Sequence, residues 1–94
     1  MPVTVEEIKT HLRIEHNAED GYLSALIAAA QAAAEDFCRR SFAEDMPEPV
    51  RLAIYLYVGF MYTCREGADQ SAYRAMKQAF DALLWPHRDP EQIL

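Results

Sequence analysis

Four stretches of the chain carry apolar residues at helical spacing, separated by polar or proline-bearing breaks. The first runs from Val5 to about Arg13, with Val5, Ile8 and Leu12 on one side. Thr4-Val5-Glu6-Glu7 opens it as a Thr-x-x-Glu capping box, in which Thr4 and Glu7 each satisfy a free backbone N–H of the other. Val3 and Val5 flank Thr4 as an apolar lock. The polar run Glu15 to Asp20 breaks the pattern and offers Asn17 as a second cap, with acids in the first turn that suit the helix dipole. A long helix then extends to about Arg40, with Leu23, Leu26, Ile27, Ala30, Ala34, Phe37 and Cys38 at i, i+3, i+4, i+7 positions. Six alanines between Ala28 and Ala34 let neighbouring helices approach closely.

Ser41 to Pro49 reads as a loop, with Phe42 and Met46 as apolar plugs. Pro47 and Pro49 open the third helix, and Arg65-Glu66-Gly67 closes it, with Gly67 suited to the left-handed position past its end. Ala68-Asp69-Gln70-Ser71 caps a fourth helix, which runs to about Leu84 with Tyr73, Met76, Phe80, Leu83 and Leu84 in one stripe. Trp85-Pro86 stops it, because the residue before proline avoids helical angles. No stretch alternates as a strand does. The pattern predicts an all-α fold, a small bundle of four helices, two long and antiparallel and two shorter. Residues 1–86 form a single helical domain, and 87–94 form a flexible C-terminal tail that orders on a partner.

The third helix is the most informative element. Residues 52–64 are uncharged and largely apolar, yet shorter than the ~20 residues a bilayer-spanning helix needs. At about 100° per residue, Val50, Ala53, Ile54, Tyr57, Val58, Met61 and Cys64 gather on one face. Leu52, Tyr55, Leu56, Tyr62 and Thr63 gather on the other, around Gly59. A helix apolar all round is normally buried all round. With few other elements to cover it, the second face is expected to pack on another copy of the chain. Leu52, Tyr55, Leu56, Gly59 and Tyr62 are therefore the candidate oligomer interface. Covering each large apolar side chain is worth ~1.5–3 kcal/mol before association entropy is subtracted.

At 94 residues the core of one domain is modest, so association would help stability. The net charge of −6 argues against binding nucleic acid by phosphate neutralisation. The acidity is uneven: residues 1–45 hold nine acids and four bases, 46–94 six and five. Cys38 and Cys64 lie far apart, with no second pair for a metal site or a secreted disulfide framework. The start lacks a basic region followed by an apolar stretch, so no secretory signal is expected and the compartment is expected to be reducing.

His11, His16 and His87 lack metal-ligand spacing. In Glu6-Glu7, Glu19-Asp20, Glu35-Asp36 and Glu44-Asp45, adjacent acids on a helix point about 100° apart, so most of them read as solvated. Gly21, Gly59 and Gly67 cannot build a phosphate loop, and Ser24, Ser41 and Ser71 have no base beside them. Arg74, Lys77 and Gln78 would face DNA in a helix-turn-helix reading, but Asp69 and Asp81 flank them. No catalytic residue, metal or cofactor is expected.

The opening Val3-Thr4-Val5-Glu6-Glu7-Ile8-Lys9-Thr10-His11-Leu12-Arg13-Ile14-Glu15, followed by Glu19-Asp20 and the alanine-rich helix, resembles the head-tail connector proteins of tailed bacteriophages and prophages. These are also called head completion or DNA-packaging adaptor proteins. Phe37-Cys38-Arg39-Arg40-Ser41-Phe42 is similar to that family's turn after its long helix. Pro49-Val50-Arg51-Leu52-Ala53-Ile54 through Tyr62-Thr63-Cys64-Arg65-Glu66 is similar to its second long helix, and Leu83-Leu84-Trp85-Pro86-His87-Arg88 to its closing Leu-Leu-x-Pro-x-Arg. The likeness spans almost the whole chain in order. It departs at Arg39, where the family commonly has glycine, and in the short loop Ser41 to Pro49, where relatives carry a longer excursion.

The resemblance implies an all-helical subunit of a ring of about a dozen copies beneath the portal, at the head-tail junction of the virion, assembled in the host cytoplasm. Duplex DNA would pass through it unbound, and portal and tail-completion proteins would be its partners. An acidic lumen would let DNA slide. Trp85, Pro86 and Arg88, with the following tail, are the candidate partner-docking residues; the alternative for Trp85 is that it caps the core. The alternative is a small acidic helical interaction module acting as a dimeric regulator, and a further one a nucleic-acid-handling accessory factor.

Overall fold

The capping box at the start of α1 (Val5–Leu12) closes in both directions. The Glu7 N–H donates to Thr4 Oγ1, and the Thr4 N–H to Glu7 Oε1, each at 3.2 Å. The computed structural model describes residues 3–42, 45–64 and 70–88. α1 ends at Arg13, which takes a left-handed conformation (φ 60°), while the Ile14 N–H reaches back to the Lys9 carbonyl at 2.8 Å.

α2 (Asp20–Cys38) follows a polar link. Asn17 does not cap it; the N-cap is Glu19, with no side-chain capping bond. The Lys9 ammonium takes Asn17 instead. Lys9 is 8% exposed, and a charge withdrawn from water needs partners. It finds them in Asn17 Oδ1 and in Asp20 Oδ1 at 3.0 Å. At its other end α2 stops at Cys38, two residues earlier than the sequence suggested, because Arg39 turns left-handed (φ 58°). The Glu35 carboxylate then gathers the following loop, accepting the Phe42 N–H at 2.8 Å and the Ser41 hydroxyl at 3.4 Å. Phe42 is thereby delivered fully buried into the core, and Met46 follows at 7% exposure. Both plugs sit where the pattern put them.

Pro47 caps α3 (Glu48–Thr63) with its carbonyl, which accepts the Val50 and Arg51 N–H groups at 3.0 and 3.1 Å. Pro49 occupies the first turn, where its missing N–H has no intrahelical partner to lose. α4 (Gln70–Leu84) runs into a 3₁₀ turn, Trp85–His87. Gly67 and the Ala68-Asp69 part of the expected fourth cap lie outside the described residues, as does the tail from 89 onward.

Side-chain pairs fix the directions. Tyr22 at the start of α2 meets Tyr62 at the end of α3, so these two helices run antiparallel. Tyr57 meets Phe80, and Phe60 meets Tyr73, so α3 and α4 are antiparallel too. Cys38 Sγ donates to the Leu84 carbonyl at 3.5 Å where α2 and α4 end together. α4, at 15 residues, nearly matches α3 at 16, and α1 at 8 is the short one.

The core draws Leu23, Ile27, Ala30 and Ala34 from α2 against Ala53, Ile54 and Val58 of α3 and Met76, Phe80 and Leu84 of α4. Each set falls on one side of its helix, as the period of 3.6 requires. The Cα extents are 43 × 32 × 17 Å, so the molecule is a slab about two helix layers thick, with two broad faces.

Candidate assembly surface

The second apolar face of α3 divides into two flanks. α1 lies along one of them, parallel to α3. Glu7 is the clasp: its Oε2 accepts from Arg51 Nη1 at 2.6 Å and from the Tyr55 hydroxyl at 2.7 Å. One turn on, the His11 ring stacks on Tyr55 with centroids 4.8 Å apart. Leu12 then comes so close to Gly59 that a Cβ there would stand 3.3 Å from Leu12 Cδ2. Glycine permits this approach. The Tyr62 hydroxyl reaches Glu19 at 3.2 Å, beside the Tyr22 ring.

The clasp shifts the acidity of its members. Burial alone would raise Glu7, but the hydrogen bonds from Tyr55 and Arg51, then the Thr4 N–H and the Arg51 charge, hold it below its ordinary value. Burial would lower Arg51, and Glu7 outweighs that and raises it. Tyr55 is raised by burial first and by the Glu7 carboxylate second. All three effects favour one state, with carboxylate, guanidinium and neutral phenol together. Glu7 is therefore a structural anchor beyond its place in the capping box, and Glu35, which gathers the loop after α2, is a second exception among acidic pairs expected to be mostly solvated.

Of the five candidate interface residues, Tyr55, Gly59 and Tyr62 thus have neighbours within their own protomer. Leu52 and Leu56 lie on the other flank; Leu56 is half-buried against the protomer's own core, which leaves Leu52, at 48% exposure, as the open one. Leu52 points away from Val50, Ala53, Ile54 and Val58, and Glu48, one turn earlier on the same side, is exposed.

The candidate docking residues sit at the far end of α4. Trp85 is 63% exposed, Pro86 is exposed, and Arg88 is half-buried. Arg88 lies across two rings, its guanidinium carbon 4.4 Å from the Trp85 centroid and 5.3 Å from that of Phe37. Beside them Phe37, Gln78, Asp81, Ala82 and Trp85 line a groove of ≈ 340 Å³. Burial pushes the nearby Cys38 thiol up, and the charges of Arg40 and Arg88 offset this in part. Tyr22 and Tyr73 are further exposed aromatics, at 36% and 41%, that the sequence reading did not single out as surface. The helical period puts Tyr73 in the apolar stripe of α4, but one turn into the helix it lies tilted beside Phe60, centroids 6.1 Å apart, and stays exposed.

Among the described residues, no group of three or more His, Cys, Asp or Glu is placed to hold a metal ion. No helix there is long and apolar enough to cross a membrane. The chemistry on offer is apolar and aromatic surface ringed by charge, which suits binding to protein.

The sequence model of the family described as phage gp6-like head-tail connector protein matches residues 2–85. The chain belongs to this family. The match starts two residues ahead of the α1 capping box and ends at Trp85, so all four helices of the connector fall within it. No curated protein and no solved structure matches it. The connector has a structural role in the phage particle, between head and tail proteins. At Arg39, where the resemblance leads one to expect glycine, the connector chain still adopts the left-handed geometry that glycine favours.

Proposed function

We propose that this connector is the repeating subunit of a closed ring beneath the portal, about a dozen copies around, through which double-stranded DNA passes during packaging and ejection. Its partners are further copies of itself, the portal protein and a tail-completion protein, and it carries no catalytic activity. Family membership over residues 2–85 is the observation that carries this reading. The surface supports it: Leu52 and Trp85 are large exposed apolar residues on a chain of 94 residues, and both suit contacts between subunits. The net charge of −6 suits a conduit, since a wall that repels phosphate does not hold DNA in place.

Size-exclusion chromatography with light scattering, followed by negative-stain electron microscopy, tests the reading on the chain alone and on the chain mixed with its portal. Closed rings in either sample are expected, together with no salt-dependent mobility shift of duplex DNA. A chain that stays monomeric or dimeric in both samples refutes it.

A further inference from the structure

We infer that the exposed start of α3, Leu52 with Glu48, seats in the Phe37–Trp85 groove of a second copy of this chain, where Glu48 meets Arg88. The inference rests on the ring reading above and names the contact that would build the ring. Four observations carry it.

The knob and the groove are each open in the single protomer: Leu52 is 48% exposed and Trp85 63%. They are complementary in polarity, since a branched apolar side chain would enter a largely apolar hollow of ≈ 340 Å³ lined by Phe37, Ala82 and Trp85 with Gln78 and Asp81. They are also complementary in charge. The Glu48 side chain is 80% exposed, held by a loose 3.6 Å pair with Arg51 one turn along its own helix. Arg88 lies over the Trp85 wall of the groove at 4.4 Å, Arg40 stands near the same end of α2, and the groove's own acid, Asp81, is paired with Lys77 at 3.8 Å. Arg88 is only half-buried, and an incoming carboxylate would form a charge-assisted hydrogen bond with the part of its guanidinium left open to solvent.

The fourth observation is placement. Gln78, Asp81, Ala82 and Trp85 fall on the side of α4 turned away from Met76, Phe80 and Leu84. Leu52 falls on the side of α3 turned away from α2 and α4. Knob and groove therefore lie on different helices and on separate parts of the protomer surface, and joining them head to tail leaves a free knob and a free groove at the two ends of every chain of copies. That is a heterologous contact, which closes into a ring or runs on as a filament. Trp and Arg at its centre are the residue types that dominate binding energy at interfaces.

Two variants test it. Leu52→Asp removes the knob and keeps the groove, and Trp85→Ala removes the groove wall and keeps the knob. Both positions are exposed, so each variant should keep the wild-type circular dichroism. Each alone is expected to self-associate about tenfold more weakly or less than that. Mixed in equimolar amounts they should form a dimer and stop there, because one intact contact remains and both ends are dead. A charge exchange is the second arm: Glu48→Arg and Arg88→Glu each weaken assembly singly and restore it when mixed.

Variants that assemble as the wild type does overturn the inference, as does a mixture that grows beyond the dimer. Wild-type chain that stays monomeric up to about millimolar concentration also overturns it, and a ring forming on the portal would then still uphold the connector function. Stoichiometric mixed dimers together with open filaments and no closed ring would do the reverse, sustaining this contact and refuting the ring.

Discussion

Replacing Arg39 by glycine should stabilise the protein, although it deletes a long side chain and a positive charge from an acidic molecule. Arg39 has φ 58° and ψ 38°, in the left-handed region, and its side chain is exposed. A residue with a Cβ is disfavoured there by ~1–2 kcal/mol, which glycine avoids. Glycine has a freer unfolded chain, which returns ~0.5–1 kcal/mol of that gain. The difference is a net stabilisation of roughly 0.5–1 kcal/mol, or about 2–8 °C in Tm for a domain of this size. Thermal and urea unfolding followed at the helical circular dichroism band would measure it. Arg39→Ala is the control, because it removes the same charge and side chain and keeps the Cβ. Its Tm should stay close to that of the wild type. An alanine variant as stable as the glycine variant would trace the effect to charge, and a glycine variant melting below the wild type would show that the backbone carries no strain at this turn.

Three further outcomes follow from the same geometry. Glu7 is depressed in the fold, so its share of stability is complete above the ordinary carboxylate pKa of about 4.3 and is lost as pH falls through the lower folded value; Glu7→Gln should lower stability at neutral pH by about 1–3 kcal/mol and flatten the acid side of the stability curve in urea titrations. Gly59→Ala places its Cβ 3.3 Å from a terminal methyl of Leu12, which can swing aside, so the helical gain of about 1 kcal/mol should leave the melting temperature unchanged or higher, whereas Gly59→Leu should overpack the contact by ~1–3 kcal/mol and lower it. Cys38 is fully buried with its thiol pushed up while Cys64 is half-buried, so a thiol reagent at neutral pH should titrate Cys64 in the native protein and reach Cys38 only on unfolding.

The helices and most of the core could be read from the chain because each rests on a local signal. Thr4 and Glu7 sit three apart, Leu23 to Cys38 keep the helical period, and Phe42 and Met46 are isolated apolar residues in a polar loop. The part of α3 that packs on α2 and α4 was legible for the same reason. The cover over its second face was not. That cover is made largely of polar side chains, Glu7, His11 and Glu19, which meet α3 through tyrosine hydroxyls, an arginine and a glycine gap. Hydrophobic periodicity does not register such an interface. Asn17 was misread as a cap because the sequence does not show that Lys9 would be buried eight residues away and need its oxygen. The Phe37–Trp85 groove escaped as well, since its two walls lie nearly fifty residues apart and meet through tertiary packing.

Glu7 holds together two events that proteins usually keep separate. The same carboxylate that closes the Thr4 cap also grips Arg51 and Tyr55. A helix of eight residues is too short to persist alone in water, so α1 exists by virtue of its seat on α3. Winding and docking are then one cooperative step, and the segment behaves as a single foldon that opens as a unit below the global unfolding free energy. Amide hydrogen exchange in α1 would accordingly report the opening of a latch, with every protected N–H of that helix sharing one opening free energy while α2 and α3 remain closed beneath it.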